Sequence, residues 1–149
     1  ETLIESWILL AEEGLYPELT LTIKKTGSIY RKYKKYIDRY DLNIKFIGYV
    51  DRQAVKELMN SSRALIYPST FESLGLPLLE ANSLGLDIIA PESDYVREVV
   101  DPVESFDPNS AISIKRAVKR FLGKKEERVN IVDAEDFLRK ITTQQGFSD

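Results

Sequence analysis

The chain has 149 residues, with 21 Lys plus Arg against 24 Asp plus Glu, a net charge of −3, and a hydrophobic content of 43%. With no Cys and no His in it, disulfides, thiolate or imidazole metal sites and Cys- or His-based catalysis are excluded within these residues. The length suits one domain with a core large enough to need no staple. No apolar run approaches the roughly 18 residues of a membrane span, no signal-peptide pattern is visible, and a pI of about 5.2 argues against nucleic acid as a partner.

Leu3, Ile4, Trp7, Ile8 and Ala11 recur at spacings of three and four, and Gly14 stops the run, which predicts a helix with Trp7 in the core. Leu19, Leu21 and Ile23 alternate with Thr20, Thr22 and Lys24 as a strand does. Ser28 is an expected N-cap for a second helix, with Ile29, Tyr33, Tyr36, Ile37 and Tyr40 on one face. A short strand over 43–47 ends at Gly48, and Asp51 caps a helix carrying Val55, Leu58 and Met59. Residues 64–67 form an apolar strand ended by Pro68. A helix starts near Gly75 to Pro77 and runs to about Leu84, where Gly85 caps it. A strand over 87–90, a short helix over 95–100 and a strand over 104–106 follow. Asn109 or Ser110 then caps a helix bearing Ile114, Val118, Phe121 and Leu122. A last helix is expected over 134–141, with a frayed tail over 144–149.

Short apolar strands alternating with helices imply parallel pairing through right-handed crossovers, hence an α/β sheet covered on both faces. Ligands of such sheets bind at the carboxyl ends of the strands. The expected loops are 24–28, 48–51, 68–75, 91–94 and 107–109.

The most informative stretch runs from Tyr67 to Ala81, YPSTFESLGLPLLEA. A strand ends at Pro68, Gly75 lets backbone approach a ligand, and Pro77 suits the first helical turn. The loop and helix start therefore offer N–H groups and a positive dipole end to an anion. Glu72 in the loop and Glu80 in the helix flank that position, as carboxylates do when they accept from sugar hydroxyls.

At these residues the chain resembles the retaining family-four glycosyltransferases of the GT-B fold, whose C-terminal domain carries two Glu separated by seven residues. Glu72 and Glu80 have that spacing. Phe46 to Val50, Ser83 to Gly85 with Ile88 to Ala90, and Arg97 to Val100 match the flanking segments, so the resemblance covers about residues 19–122. It implies a Rossmann-like α/β domain with a parallel sheet and helices on both faces, one half of a GT-B fold. Residues 1–149 would be a single nucleotide-sugar-binding domain, truncated at its N-terminal edge. The preceding strand, the Arg and Lys that meet the diphosphate, and the acceptor-binding N-terminal domain would lie outside the chain.

Carried over residue by residue, the resemblance implies that Glu72 is catalytic and contacts donor-sugar hydroxyls. Leu74, Gly75 and Leu76 would give backbone N–H groups to the sugar and diphosphate, and Glu80 would accept from the ribose hydroxyls. Gly48, Tyr49 and Val50 would border the base, and Ser69 would lie near the diphosphate. The donor is a nucleoside-diphosphate sugar, with no cofactor and no metal expected. The activity implied is hexosyl transfer to a saccharide or lipid-linked acceptor in polysaccharide or glycoconjugate synthesis. The setting would be cytoplasmic, with peripheral membrane association of the full-length protein at the inner face. This chain alone is expected to be inactive.

Simpler readings stand beside these. The two Glu could be helix-start acids, Gly48 a strand end and Ser69 a capping serine. The run Tyr30-Arg31-Lys32-Tyr33-Lys34-Lys35-Tyr36 could bind nucleic acid or an anionic membrane. It could also be an amphipathic helix with its bases in solvent, which the tyrosine spacing favours. Functional alternatives are a non-catalytic nucleotide-binding or interaction module and a GT-B-related nucleotide-sugar epimerase. The Lys24 to Ser28 turn is more basic than the family pattern, and Asp87 stands where that pattern has an apolar residue or Pro.

Overall fold

The computed structural model describes residues 1–70 and 75–124. In order they form α1 (Thr2–Glu12), β1 (Leu19–Leu21), α2 (Gly27–Arg39), β2 (Ile44–Phe46), α3 (Arg52–Ser61) and β3 (Ala64–Ile66). Then come α4 (Leu76–Ser83), β4 (Asp87–Pro91), α5 (Asp94–Arg97), β5 (Glu104–Phe106) and α6 (Ala111–Phe121). The expected segments over 134–141 and 144–149 lie outside the described residues, as does the side chain of Ile29.

Every strand pairing is parallel. Leu19 pairs with Ile44 in β1–β2, Leu65 with Ile88 in β3–β4, and Ala90 with Ser105 in β4–β5. The strands form two ladders, β1–β2 and β3–β4–β5, so every strand except β4 has one open edge among the described residues. In a parallel ladder alternate residues bond to opposite sides. The Leu19 N–H donates to Asn43 at 2.9 Å and the Tyr67 N–H to Ile89 at 2.9 Å.

Helices cover both faces, and β4 shows this most directly. Ile89 enters one cluster with Trp7 and Leu10 of α1, Tyr33 and Ile37 of α2, and Ile114 and Val118 of α6. Its neighbours Ile88 and Ala90 enter the other, with Met59 of α3, Leu78 and Ala81 of α4, and Val96 of α5. That is the period-two alternation of a strand buried on both sides. Leu10, Leu78 and Ile114 have no exposed surface, and burying each contributes about 1.5–3 kcal/mol. Trp7 is in the core as expected, and its Nε1–H donates to the Pro17 carbonyl at 2.9 Å.

Caps with a side-chain oxygen fall where expected. Asp51 Oδ1 accepts from the Ala54 N–H at 2.8 Å, and Ser110 Oγ from the Ser113 N–H at 3.2 Å. Three expectations are corrected. The N-cap of α2 is Thr26 rather than Ser28, and no side chain caps it, because helical geometry already begins at Gly27. Ile23 lies beyond β1 and is exposed, although its carbonyl still accepts from the Gly48 N–H at 3.1 Å. Tyr36 is 42% exposed rather than in the core, since it lies about 100° round the helix from Ile37 and leaves the apolar stripe.

Candidate functional site

The loops leaving β2, β3 and β4 gather at the carboxyl ends of the strands, where the motif lies. Gly75 is the N-cap of α4, with φ 52° and ψ 39° in the left-handed region. A Cβ there would stand 3.2 Å from Leu78 Cδ1, so the backbone favours glycine and a side chain would also need Leu78 to give by a few tenths of an ångström. Its carbonyl accepts from the Leu78 and Leu79 N–H groups at 2.8 and 3.2 Å. Pro77 follows in the first turn, and no side chain caps this end. The Leu76 N–H has no partner among the described residues, and this is the positive end of α4, the end of a helix that suits an anion.

Glu80 lies one turn further along α4. Its side chain is 34% exposed and accepts from Arg52 Nε at 3.1 Å. Arg52 opens α3, directly after the Gly48–Asp51 loop. Gly48 turns that loop with φ 81°, Tyr49 is 84% exposed and Val50 half-buried. The pair therefore joins two stretches that the sequence marks separately, the β2 loop and the start of α4. Arg52 itself carries no mark, because nothing local ties residue 52 to residue 80.

Ser69 is half-buried, and its carbonyl accepts from Tyr95 Oη at 2.6 Å, which ties the loop after β3 to α5. Two further side chains went unmarked in the sequence, Tyr67 at the end of β3 and Ser93 after β4. Their hydroxyl oxygens are buried and have no hydrogen-bond partner among the described residues. Such a group costs about 1–3 kcal/mol unless water or a ligand satisfies it. Glu92, in the same β4 loop, has its carboxyl held at about 2, mainly by hydrogen bonding to Arg97 and next by Ser105. Glu72 and Leu74 lie outside the described residues.

The arrangement offers a helix end to negative charge, a half-exposed carboxylate to hydroxyls and an exposed tyrosine ring to a flat group. No three acidic side chains gather as a metal site among the described residues. A recess of about 250 Å³ opens at the opposite end, between Met59, Arg63, Leu86 and Asp87, away from the carboxyl ends where such sheets hold ligands. No helix among the described residues is long and apolar enough to cross a membrane.

The family model of the glycosyl transferases group 1 matches residues 1–135. The O-antigen chain mannosyltransferase B of Escherichia coli is 30% identical over 106 residues, covering 70% of this chain and 25% of that protein. Among solved structures, sucrose-phosphate synthase from Thermosynechococcus elongatus superposes with a TM-score of 0.64 at 22% identity, covering 82% of this chain and 33% of that one. The catalytic domain of the Helicobacter pylori cholesterol-α-glucosyltransferase gives 0.63 at 20% identity, covering 97% and 82%. The chain thus spans about a quarter of the curated relative.

Proposed function

On the premise that the chain belongs to the group 1 glycosyl transferases, with the Rossmann-like α/β fold of the GT-B enzymes, we propose that it is the donor-binding half of a retaining hexosyltransferase. The carrying observation is the Arg52–Glu80 pair, which sets the ribose-competent carboxylate beside both the base-bordering loop and the positive end of α4. In this reading the diphosphate lies on the N–H groups of Gly75 and Leu76, and Glu80 accepts from the ribose. Gly48, Tyr49 and Val50 flank the base, and Ser69 lies near the diphosphate. Glu72 and Leu74, from the resemblance alone, meet the donor sugar.

The donor is the substrate, and the reading calls for no cofactor or metal. Helix N–H groups and side-chain cations meet the charge that grows on the leaving diphosphate, in a cleft that excludes water. The O-antigen relative supports an acceptor in polysaccharide or glycoconjugate synthesis, and a cytoplasmic setting belongs to the reading itself. Transfer also requires the acceptor to be held in near-attack geometry, a positioning term of about 7–11 kcal/mol. The acceptor-binding domain would supply it, so the isolated chain binds donor without transferring.

Titration of UDP, GDP and ADP followed by NMR tests the site. At least one should shift the amides of residues 48–50 and 75–80, and no shift there with any of them overturns the reading. Glu80→Ala should weaken the bound nucleotide by roughly 10–100-fold, the value of a hydrogen bond to a charged group. Glu72→Gln should weaken the nucleotide sugar and spare the free nucleotide, whereas Glu80→Gln should weaken both.

A further inference from the structure

The sequence run of alternating tyrosines and bases is not absorbed by the donor site, and the structure separates its two components. Tyr33 is buried and Tyr30 half-buried, so two of its three tyrosines serve the core, as does half-buried Tyr40 just beyond it. The bases remain outside. Residues 24–40 hold seven cations and one acid, a net +6, so the rest of the chain carries −9 of the total −3. Arg31, Lys35 and Arg39 fall four residues apart and form one exposed row opposite Tyr33 and Ile37.

Cations on other elements are mostly matched. Lys45 meets Glu18 at 2.6 Å, Lys115 and Lys119 both meet Glu13 at 2.6 Å, and Arg120 meets Glu104 at 2.6 Å. Within α2, Lys32 pairs with Glu1 and Lys34 with Asp38. Arg31 and Lys35 have no ion pair or hydrogen bond among the described residues, and Arg39 meets only the Tyr40 ring, 5.6 Å away. Like charges four apart destabilise a helix, so the row works against folding with no ion pair in return among the described residues. Exposed Lys24 and Lys25 extend the charge to the carboxyl end of β1.

We propose that this face of α2 docks on a membrane surface of anionic lipid headgroups, the helix lying along the surface. Charge complementarity selects that occupant. A plane touches only the row, over the roughly 20 Å of a 13-residue helix, and keeps the acidic remainder at a distance. A nucleic acid strand would run past the helix onto that acidic remainder, and α2 leaves it one exposed ring, Tyr36, instead of a stacking platform. Beside the row the same ring suits the headgroup zone. Lys24 and Lys25, between the carboxyl end of β1 and the start of α2, extend the contact at that end of the row.

Co-sedimentation of the 149-residue chain with phosphatidylcholine vesicles, with and without phosphatidylglycerol, tests this. Binding should require phosphatidylglycerol and fall with added salt. Each basic residue near such a surface contributes about fivefold, so the triple change Arg31→Gln, Lys35→Gln, Arg39→Gln should lower partitioning by roughly 100-fold, and each single change by about fivefold. The matched triple Lys56→Gln, Arg63→Gln, Lys124→Gln should leave it within a few-fold, with circular dichroism of both variants unchanged. Equal losses in the two triples, no preference for phosphatidylglycerol, or tighter α2-dependent binding to an RNA or DNA oligonucleotide than to vesicles would each overturn the proposal.

Discussion

Helices α2 and α6 are both basic and amphipathic, and both dock an apolar face into the same core cluster. Their charges are handled in opposite ways. On α6, Lys115 and Lys119 converge on Glu13 of the α1 C-cap and Arg120 reaches Glu104 of β5, so the cations help dock α6 against α1 and the sheet. On α2 the Arg31–Lys35–Arg39 row faces solvent. The paired cations of α6 are part of the fold, whereas on α2 Lys32 and Lys34 are paired and the Arg31–Lys35–Arg39 row has no ion pair among the described residues.

The largest test of that contrast is in the apolar faces. Ile114→Ala on α6 removes a side chain with no exposed surface and should cost about 2–5 kcal/mol, read from the urea midpoint. Tyr36→Ala on α2 should stay within about 0.5 kcal/mol, because that ring is off the core. Next comes the glycine that opens α4. Gly75→Ala should cost about 1–2 kcal/mol from the left-handed backbone, and the contact with Leu78 should add to it.

Smaller effects separate the charges. Glu13→Gln releases both α6 lysines. Its carboxyl is held below the usual range, first by Lys115 and then by Lys119. The site is over a third exposed, so the cost should be about 1 kcal/mol or less. Arg31→Gln or Lys35→Gln should leave the midpoint unchanged or raise it, since each relieves like-charge repulsion. A fall as large as that of Glu13→Gln would erase the distinction between the helices. The smallest effect is in pH. The Glu92 carboxyl is at about 2 in the folded state and near 4.5 unfolded, so its stabilisation is fully present above 4.5. It is lost as pH falls from there through 2. Glu92→Gln should flatten that part of the acid unfolding curve.

What could be read in the sequence was local. Asp51 and Ser110 announce their helices because a side-chain oxygen three residues before an N–H has one favourable use. The strand positions follow from apolar runs bounded by Gly and Pro, and β5 falls at residues 104–106 as expected. The α2 start carried no such oxygen bond, so the expected cap fell two residues late. Tyr36 was misassigned because tyrosine suits either side of a helix boundary. The division into two ladders depends on which strands meet, and no residue of β1 or β3 encodes that locally. At the site, Gly75 and Pro77 declared the helix start, but the contact between Arg52 and Glu80 spans 28 residues and has no periodic signature.

The hydrogen bond from Trp7 to Pro17 makes the chain its own optical probe. Trp7 is the one tryptophan, buried in the cluster that α1, α2 and α6 share and held by its indole N–H. Its emission therefore reports the environment of that face of the sheet. The α3–α4–α5 cluster, which carries the start of α4, contributes no indole to the signal. A nucleotide that seats at Gly75 without disturbing α1 will leave the emission spectrum where it was, while detachment of α6 from α1 will move it to the red before the other face has opened.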